Sequence, residues 1–286
     1  MRRVEILDPG PSALIQDLGR PGHAHLGVPP SGALDQPALR LANRLVGNPE
    51  GAAGVEALLG GLRLRADVSC TVAVTGPSVP VLIDGREVGS HVALHLRPAQ
   101  TLVLGTPAAG LRCYLAVSGG IAASAELGSR STDVLSGIGP PPLEAGDLLV
   151  LGTDTGVPTG ADTLAPPIPR ADLTVPVLLG PRDDWFTGPA AALATTWTVT
   201  SESNRVGLRL DGTALRRAPE RTDAELPSEG ILTGAIQVPP SGLPVVFLAD
   251  HPTTGGYPVV AVAHPDALPA LGQARPGTSV RFRTSF

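Results

Sequence analysis

The chain has 286 residues and a net charge of −5, and all 21 of its cationic side chains are arginine. The missing lysine excludes Schiff-base chemistry and a Gly-Lys-Ser/Thr phosphate loop, and the acidic balance argues against a nucleic-acid partner, which needs a basic face. Glycine (35) and proline (31) are plentiful and the apolar runs between them are short, a composition of many strands joined by tight turns.

In chain order, residues 3–7 read as a strand followed by a polar loop carrying Gln16, Asp17 and Arg20. These three suit turn formation and ligand binding about equally. The loop runs on through Ser31 to Asp35, which is placed to cap a helix from about Pro37 to Val46, with Ala38, Leu41, Ala42 and Leu45 on one face. The pattern then turns to β. Val68, Cys70, Val72 and Val74 alternate, Asp84-Gly85 signals a hairpin, and further strands are expected near 91–96, 101–105, 112–118 and 147–151. Cys70 and Cys113 fall in strand-like runs and read as buried thiols.

Residues 153–172 are rich in Pro, Gly, Thr and Asp and form the best linker, dividing the chain into a β-rich half at 1–165 and a second at 166–286. Each half contains VPPSG (28–32 and 238–242) and an Asp-Gly hairpin signal (84–85 and 211–212), which suggests related halves. No apolar run approaches the ~20 residues needed to span a bilayer. The early Asp8-Pro9 break does not suit a signal peptide, so a cytoplasmic location is expected.

Polar groups concentrate in Ser228–Pro258, which reads strand, turn, strand, turn, strand. Its turns carry Glu229, Gln237, Asp250, Thr253, Thr254, Gly255, Gly256 and Tyr257, a set suited to a small-molecule site. Asp250 ends an apolar strand, where a desolvated carboxylate serves as base or hydrogen-bond acceptor, or forms an Asx turn. Arg205 and Arg209 are four apart and would share a strand face. That spacing describes solvated arginines, with an anion clamp as the alternative. Gly128–Asp133 reads as a surface turn that also has the makings of an anion cradle. His91 and His95 are four apart, but in a strand, so no metal site is expected.

Taken together, the ordered stretches QDLGRPGH, GVPPSGALD, LANRLVGNP, YLAVSGGI, LGSRSTD, SNRVGLRL, SEGILTGAIQVPPSG and TTGGYP resemble the family of 5-oxoprolinase C subunits, also described as KipA or allophanate hydrolase subunit 2. The chain is similar to half of the carboxyltransferase domain of urea carboxylase, from Val4 to Phe282. The resemblance implies a mainly β fold of two cyclophilin-like barrel halves with a few short helices. It implies an ATP-dependent hydrolase that opens the 5-oxoproline lactam to glutamate. Its implied partners are the A and B subunits of 5-oxoprolinase, the second of them KipI-like, with ATP and Mg bound together with those partners. It further implies Asp250 as the catalytic acid–base group. Asn204, Arg205, Gln237, Thr253, Thr254, Gly255, Gly256 and Tyr257 would bind a small anionic amide, with Arg130, Ser131 and Thr132 as a second tier. Two alternatives accompany it: a carboxyltransferase half acting on urea or a similar amide, with biotin on a separate carrier, and a non-catalytic regulator that binds a kinase inhibitor. His251-Pro252 and the triple proline Pro140–Pro142 depart from the family pattern, and these bear on substrate identity rather than fold.

Overall fold

The computed structural model describes residues 2–153, 156–158 and 171–284. The expected boundary at 165/166 and most of the expected linker lie outside these residues. The chain forms two compact units. One is drawn from Met1–Arg20, Ser31–Asp133 and Gly137–Pro169, the other from Pro21–Pro30, Val134–Ser136 and Arg170–Phe286.

In the first unit the strands are β1 (Arg3–Asp8), β2 (Ala13–Gln16), β3 (Gly54–Leu58), β4 (Arg63–Ala66), β5 (Cys70–Thr75), β6 (Val81–Ile83), β7 (Arg86–Val88), β8 (Leu94–Leu96), β9 (Thr101–Leu104), β10 (Arg112–Val117) and β11 (Leu148–Val150), with helix α1 (Gln36–Leu45) between β2 and β3. They build two sheets, β11-β1-β4-β9-β6-β7 and β2-β3-β10-β5-β8. Val4, Ile6, Leu64 and Leu102 from the first sheet meet Val55, Val72, Cys113 and Leu115 from the second in one core. Helix α1 covers the other face of the second sheet, with Ala42 and Leu45 on Ala73 and Ala116, and Leu39 against Tyr114. The central strand β10 is thus buried along its whole length, which is why RCYLAV reads as a nearly continuous apolar run rather than an alternating one.

Local signals here act as expected. Asp35 accepts a hydrogen bond from Ala38 N–H at 3.1 Å and caps α1. Asp84 and Gly85 both take positive φ and join β6 to β7 in a hairpin. Cys70 and Cys113 are buried and neither is in a disulfide.

In the second unit the strands are β12 (Asp172–Leu179), β13 (Trp197–Val199), β14 (Gly207–Asp211), β15 (Glu229–Gly230), β16 (Ala235–Gln237), β17 (Val245–Phe247), β18 (Thr254–Gly255), β19 (Val259–Ala263) and β20 (Ser279–Thr284). Seven of them close into a barrel in the order β12-β19-β16-β17-β14-β13-β20. Closure comes from β12, which pairs antiparallel with β19 and parallel with β20. Strands β15 and β18 form a separate two-stranded ribbon. The molecule is therefore mainly β with short helices, as expected. The closed barrel belongs to the second unit, while the first presents its strands as two sheets sharing a core. The Asp211-Gly212 signal is corrected: Asp211 ends β14, and its Oδ1 accepts from Gly212 N–H at 2.9 Å, a local turn rather than a hairpin to a following strand. Among the described residues no helix is long and apolar enough to cross a membrane.

Candidate functional site

In the second unit two of the expected residues, Arg205 and Asp250, form a buried ion pair. Strand β17 leads through Leu248 to Asp250, and the carboxylate is fully enclosed. Arg205 enters from the turn before β14. Its Nε donates to Asp250 Oδ2 at 2.8 Å and its Nη2 to Oδ1 at 3.1 Å. Val134 N–H also donates to Oδ2, at 3.2 Å. The forked geometry suits a guanidinium and a carboxylate and makes each hydrogen bond charge-assisted. The solvated reading of the arginine pair is overturned for Arg205, which is 5% exposed, while Arg209 is exposed on β14. The four-residue spacing fails to place them on one face because Arg205 lies in the turn, before the strand's alternation begins at Gly207.

Asn204 is exposed, and its Oδ1 accepts from Val206 and Gly207 N–H at 2.8 and 3.3 Å, so its amide oxygen shapes the turn that presents Arg205. Gln237 is buried, and its Nε2 donates to the Tyr257 carbonyl at 2.9 Å. It thereby fixes the loop Thr253–Tyr257 to β16. The loop is held again by the β15–β18 ribbon and by Ile231 N–H, which donates to the Thr253 carbonyl at 2.9 Å. Thr254 and Tyr257 are exposed on this loop. A Cβ on Gly255 would stand 2.7 Å from Ile231 Cδ1 and 2.8 Å from Gln237 Nε2, so a larger residue there would have to displace the ends of these two side chains. His251 is buried beside the pair and contacts Thr233 Oγ1 at 3.0 Å and the Pro252 carbonyl at 2.8 Å. Glu229 forms a forked ion pair with Arg182, and the hydrogen bonds from that guanidinium hold its carboxyl below the usual range.

Arg130, Ser131 and Thr132 lie in the first unit and surround a different acid, Asp17. Ser129 and Ser131 hydroxyls each donate to Asp17 Oδ1 at 2.6 Å, Arg130 N–H donates to Oδ2 at 2.7 Å, and Gly19 N–H to Oδ1 at 2.8 Å. The Arg130 side chain turns outward, its Nε donating to the Ala123 carbonyl, and Thr132 Oγ1 donates to the Pro140 carbonyl at 2.8 Å. The polar run thus belongs to an interior scaffold and not to an ordinary surface turn: Ser129, Ser131 and Thr132 are all buried. The sequence alone gives Asp17 no claim over Gln16 or Arg20, its neighbours in the same loop. The signal for its central place is the pairing of a lone acid after β2 with a Ser-x-Ser segment far along the chain, which spacing does not connect.

A further buried network escapes sequence reading. Tyr114 OH donates to Glu56 Oε2 and accepts from Asp35 N–H, both at 2.8 Å, and Arg112 Nε lies 3.4 Å from Glu56 Oε1. Among the described residues no group of three or more His, Cys, Asp or Glu side chains is arranged to hold a metal.

The carboxyltransferase domain family, subdomains A and B, matches residues 26–284. The chain is 36% identical to the C subunit of 5-oxoprolinase from Escherichia coli, across 98% of this chain and 90% of that protein. It is 31% identical to urea amidolyase of Saccharomyces cerevisiae, across 98% of this chain but only 16% of the larger protein. The crystal structure of TTHA0988 superposes with a TM-score of 0.89 at 36% identity, covering 99% of this chain and 56% of that one. A match over this much of the sequence places the chain in the carboxyltransferase domain family of subdomains A and B, as a homologue of the 5-oxoprolinase C subunit.

Proposed function

We propose that this chain is the C component of an ATP-dependent 5-oxoprolinase that opens the lactam of 5-oxoproline to glutamate. The observation that carries this reading is the kinship with 5-oxoprolinase C subunits over nearly the full length of both chains. The lactam is resonance-stabilised and nearly unstrained, so ATP supplies the driving force for its opening. This chain has no lysine and no Gly-Lys-Ser/Thr loop, so its residues do not fit a nucleotide-phosphate site of that type. The nucleotide and its Mg are assigned to the partner A and KipI-like B subunits.

Within this reading, Asp250 acts by holding Arg205. Both of its oxygens are taken up by the Arg205 fork, which fixes the position of that guanidinium. The pair fixes the start of the Thr253–Tyr257 loop and Gln237 fixes its end. The exposed Thr254 and Tyr257 are left to meet an amide or a partner surface.

The test is co-purification with the A and B subunits, followed by assay of phosphate release. The expected result is ATP turnover that requires 5-oxoproline and all three chains. A second reading, transfer of a carboxyl group to urea from biotin on a separate carrier, draws on the match of nearly the whole chain to urea amidolyase. Turnover that requires urea and a biotinylated carrier would replace the first reading with the second. Stable partner binding with no turnover of either substrate would favour a regulator.

A further inference from the structure

Asp-Gly occurs twice in this chain, at Asp84-Gly85 and at Asp211-Gly212, and Asn-Gly does not occur. The dipeptide has a chemistry of its own. The backbone nitrogen that follows an aspartate attacks the side-chain carboxyl and closes a five-membered succinimide ring. Glycine in the second position presents no Cβ to hinder the approach. The fold treats the two sites in opposite ways.

The Asp84 carboxylate is committed to other partners. Its Oδ1 accepts from Thr101 N–H at 2.9 Å and its Oδ2 from Gln100 Nε2 at 2.8 Å. These bonds, the Thr101 one first, hold the carboxyl below its usual range and so deplete the protonated form that ring closure needs. The backbone is held as well, at φ 49 in the β6–β7 hairpin. Asp211 is placed differently. Among the described residues its carboxylate has one hydrogen-bond partner, the Gly212 N–H, 2.9 Å from Oδ1. That nitrogen is the nucleophile of ring closure, so the two reacting groups already lie side by side. Both residues are exposed. Asp211 also ends its strand: the pairing with β17 stops at Arg209, which leaves Thr198 of β13 as its register partner.

We propose that Asp211 is a site of spontaneous isomerisation to isoaspartate, and that the product loosens the barrel between β13 and β14. The Gly212 nitrogen forms a bond to Asp211 Cγ. Its proton and the carboxyl hydroxyl leave together as one water. The succinimide then takes up one water from solvent. Opening at the former main-chain carbonyl yields isoaspartate, and opening at Cγ restores aspartate. The net change is an isomerisation with no transfer of electrons. An isoaspartyl link routes the backbone through Cβ and Cγ, so one extra carbon enters the chain just before Gly212. That carbon has little room. Gly212 lies against the ring of Trp197, where a Cβ would stand 2.7 Å from Cε3 and 3.1 Å from Cζ3, and Trp197 is fully buried. The residue after this tryptophan, Thr198, is the one paired with Asp211. A close-packed interior does not absorb an added carbon at such a contact without moving. The modification is therefore coupled to the barrel through Trp197.

The test is to age the full chain at neutral pH and body temperature. Isoaspartate is then located by isoaspartyl methyltransferase labelling and by electron-transfer fragmentation of the peptides that hold Asp84 and Asp211. In the folded chain it is expected to accumulate at Asp211 several-fold faster than at Asp84. When the chain is aged unfolded in urea, the two rates are expected to converge. Asp211→Glu, which would have to close a six-membered ring, is expected to remove the label at this site and leave Asp84 unchanged. The isomerised fraction is expected to unfold at lower urea concentration than the unmodified chain, followed by tryptophan emission. Accumulation at Asp84 as fast as at Asp211 in the folded chain, none at Asp211, or unchanged labelling of the Asp211→Glu variant would each overturn the site. A preference that persists in urea would assign it to local sequence and overturn the role of the fold. An isomerised fraction that unfolds together with the unmodified chain would overturn the coupling to the barrel.

Discussion

The Arg205–Asp250 pair shows how one side chain changes meaning with its surroundings. Both groups are enclosed, at 6% and 0% side-chain exposure, so neither charge is tolerated without the other. Asp250→Asn should therefore destabilise the protein by about 3–5 kcal/mol, measured by urea denaturation followed by tryptophan fluorescence. A loss below about 1 kcal/mol would show that the pair contributes no more than an exposed one. Tyr114 makes a second residue-scale case. Burial first, and then the nearby Glu56 and Asp35 carboxylates, push its hydroxyl well above the usual 10.0. Because the folded state holds this proton more tightly than the unfolded chain, the associated stability is intact below pH 10 and is lost as pH rises beyond it. Tyr114→Phe should cost about 1–3 kcal/mol at neutral pH, since it strands the Asp35 N–H and removes a donor from Glu56. It should also flatten the alkaline slope of the denaturation midpoint.

At the scale of elements, local chemistry and tertiary contact decide different things. Helix α1 begins where its cap dictates, and Asp35→Ala should cost about 1 kcal/mol in thermal unfolding. The β15–β18 ribbon depends instead on contact between segments distant in sequence. Gly255→Ala should destabilise it by about 1–3 kcal/mol, with faster cleavage at the Thr253–Tyr257 loop under limited digestion. Unchanged digestion would show that Gln237 and Ile231 can give way. The capped helix and the Asp84-Gly85 hairpin are legible because each is written in consecutive residues. Asp211-Gly212 has the same dipeptide and no hairpin, because β14 pairs on both sides with β13 and β17, strands that are not its successor in the chain. Arg205 misleads for a related reason: alternation applies only inside the strand, and the strand begins two residues later.

For the whole molecule, the lysine-free composition predicts that the isolated chain has no tight nucleotide site. Titration with MgATP should show no binding at micromolar concentrations, and micromolar affinity would reverse the assignment of nucleotide to the partners. Acid stability is governed in part by His91, which is 1% exposed. Burial lowers its affinity for protons, against a smaller opposing effect from a Gly76 backbone hydrogen bond. The unfolded chain takes up that proton near pH 6.5 while the folded chain resists, so stability falls as pH drops from 6.5 toward the lower folded value and is unaffected above it. The urea midpoint should decline as pH falls below 6.5. His91→Asn, which tolerates the positive φ of 60 at this position, should remove that decline.

Composition, turn dipeptides and ordered motifs determined by themselves the β-rich class, the capped helix, the exclusion of lysine chemistry and the family, because each depends on residue identity or on spacing within a few positions. Only the tertiary structure decided that Asp250 is bound to Arg205 and that Asp17 rather than Arg130 is the centre of the Ser-Arg-Ser segment. Those contacts join residues 45, 112 or 114 positions apart. Hydrogen-bond satisfaction in a buried interior is a property of the assembled neighbourhood and has no signature in local sequence.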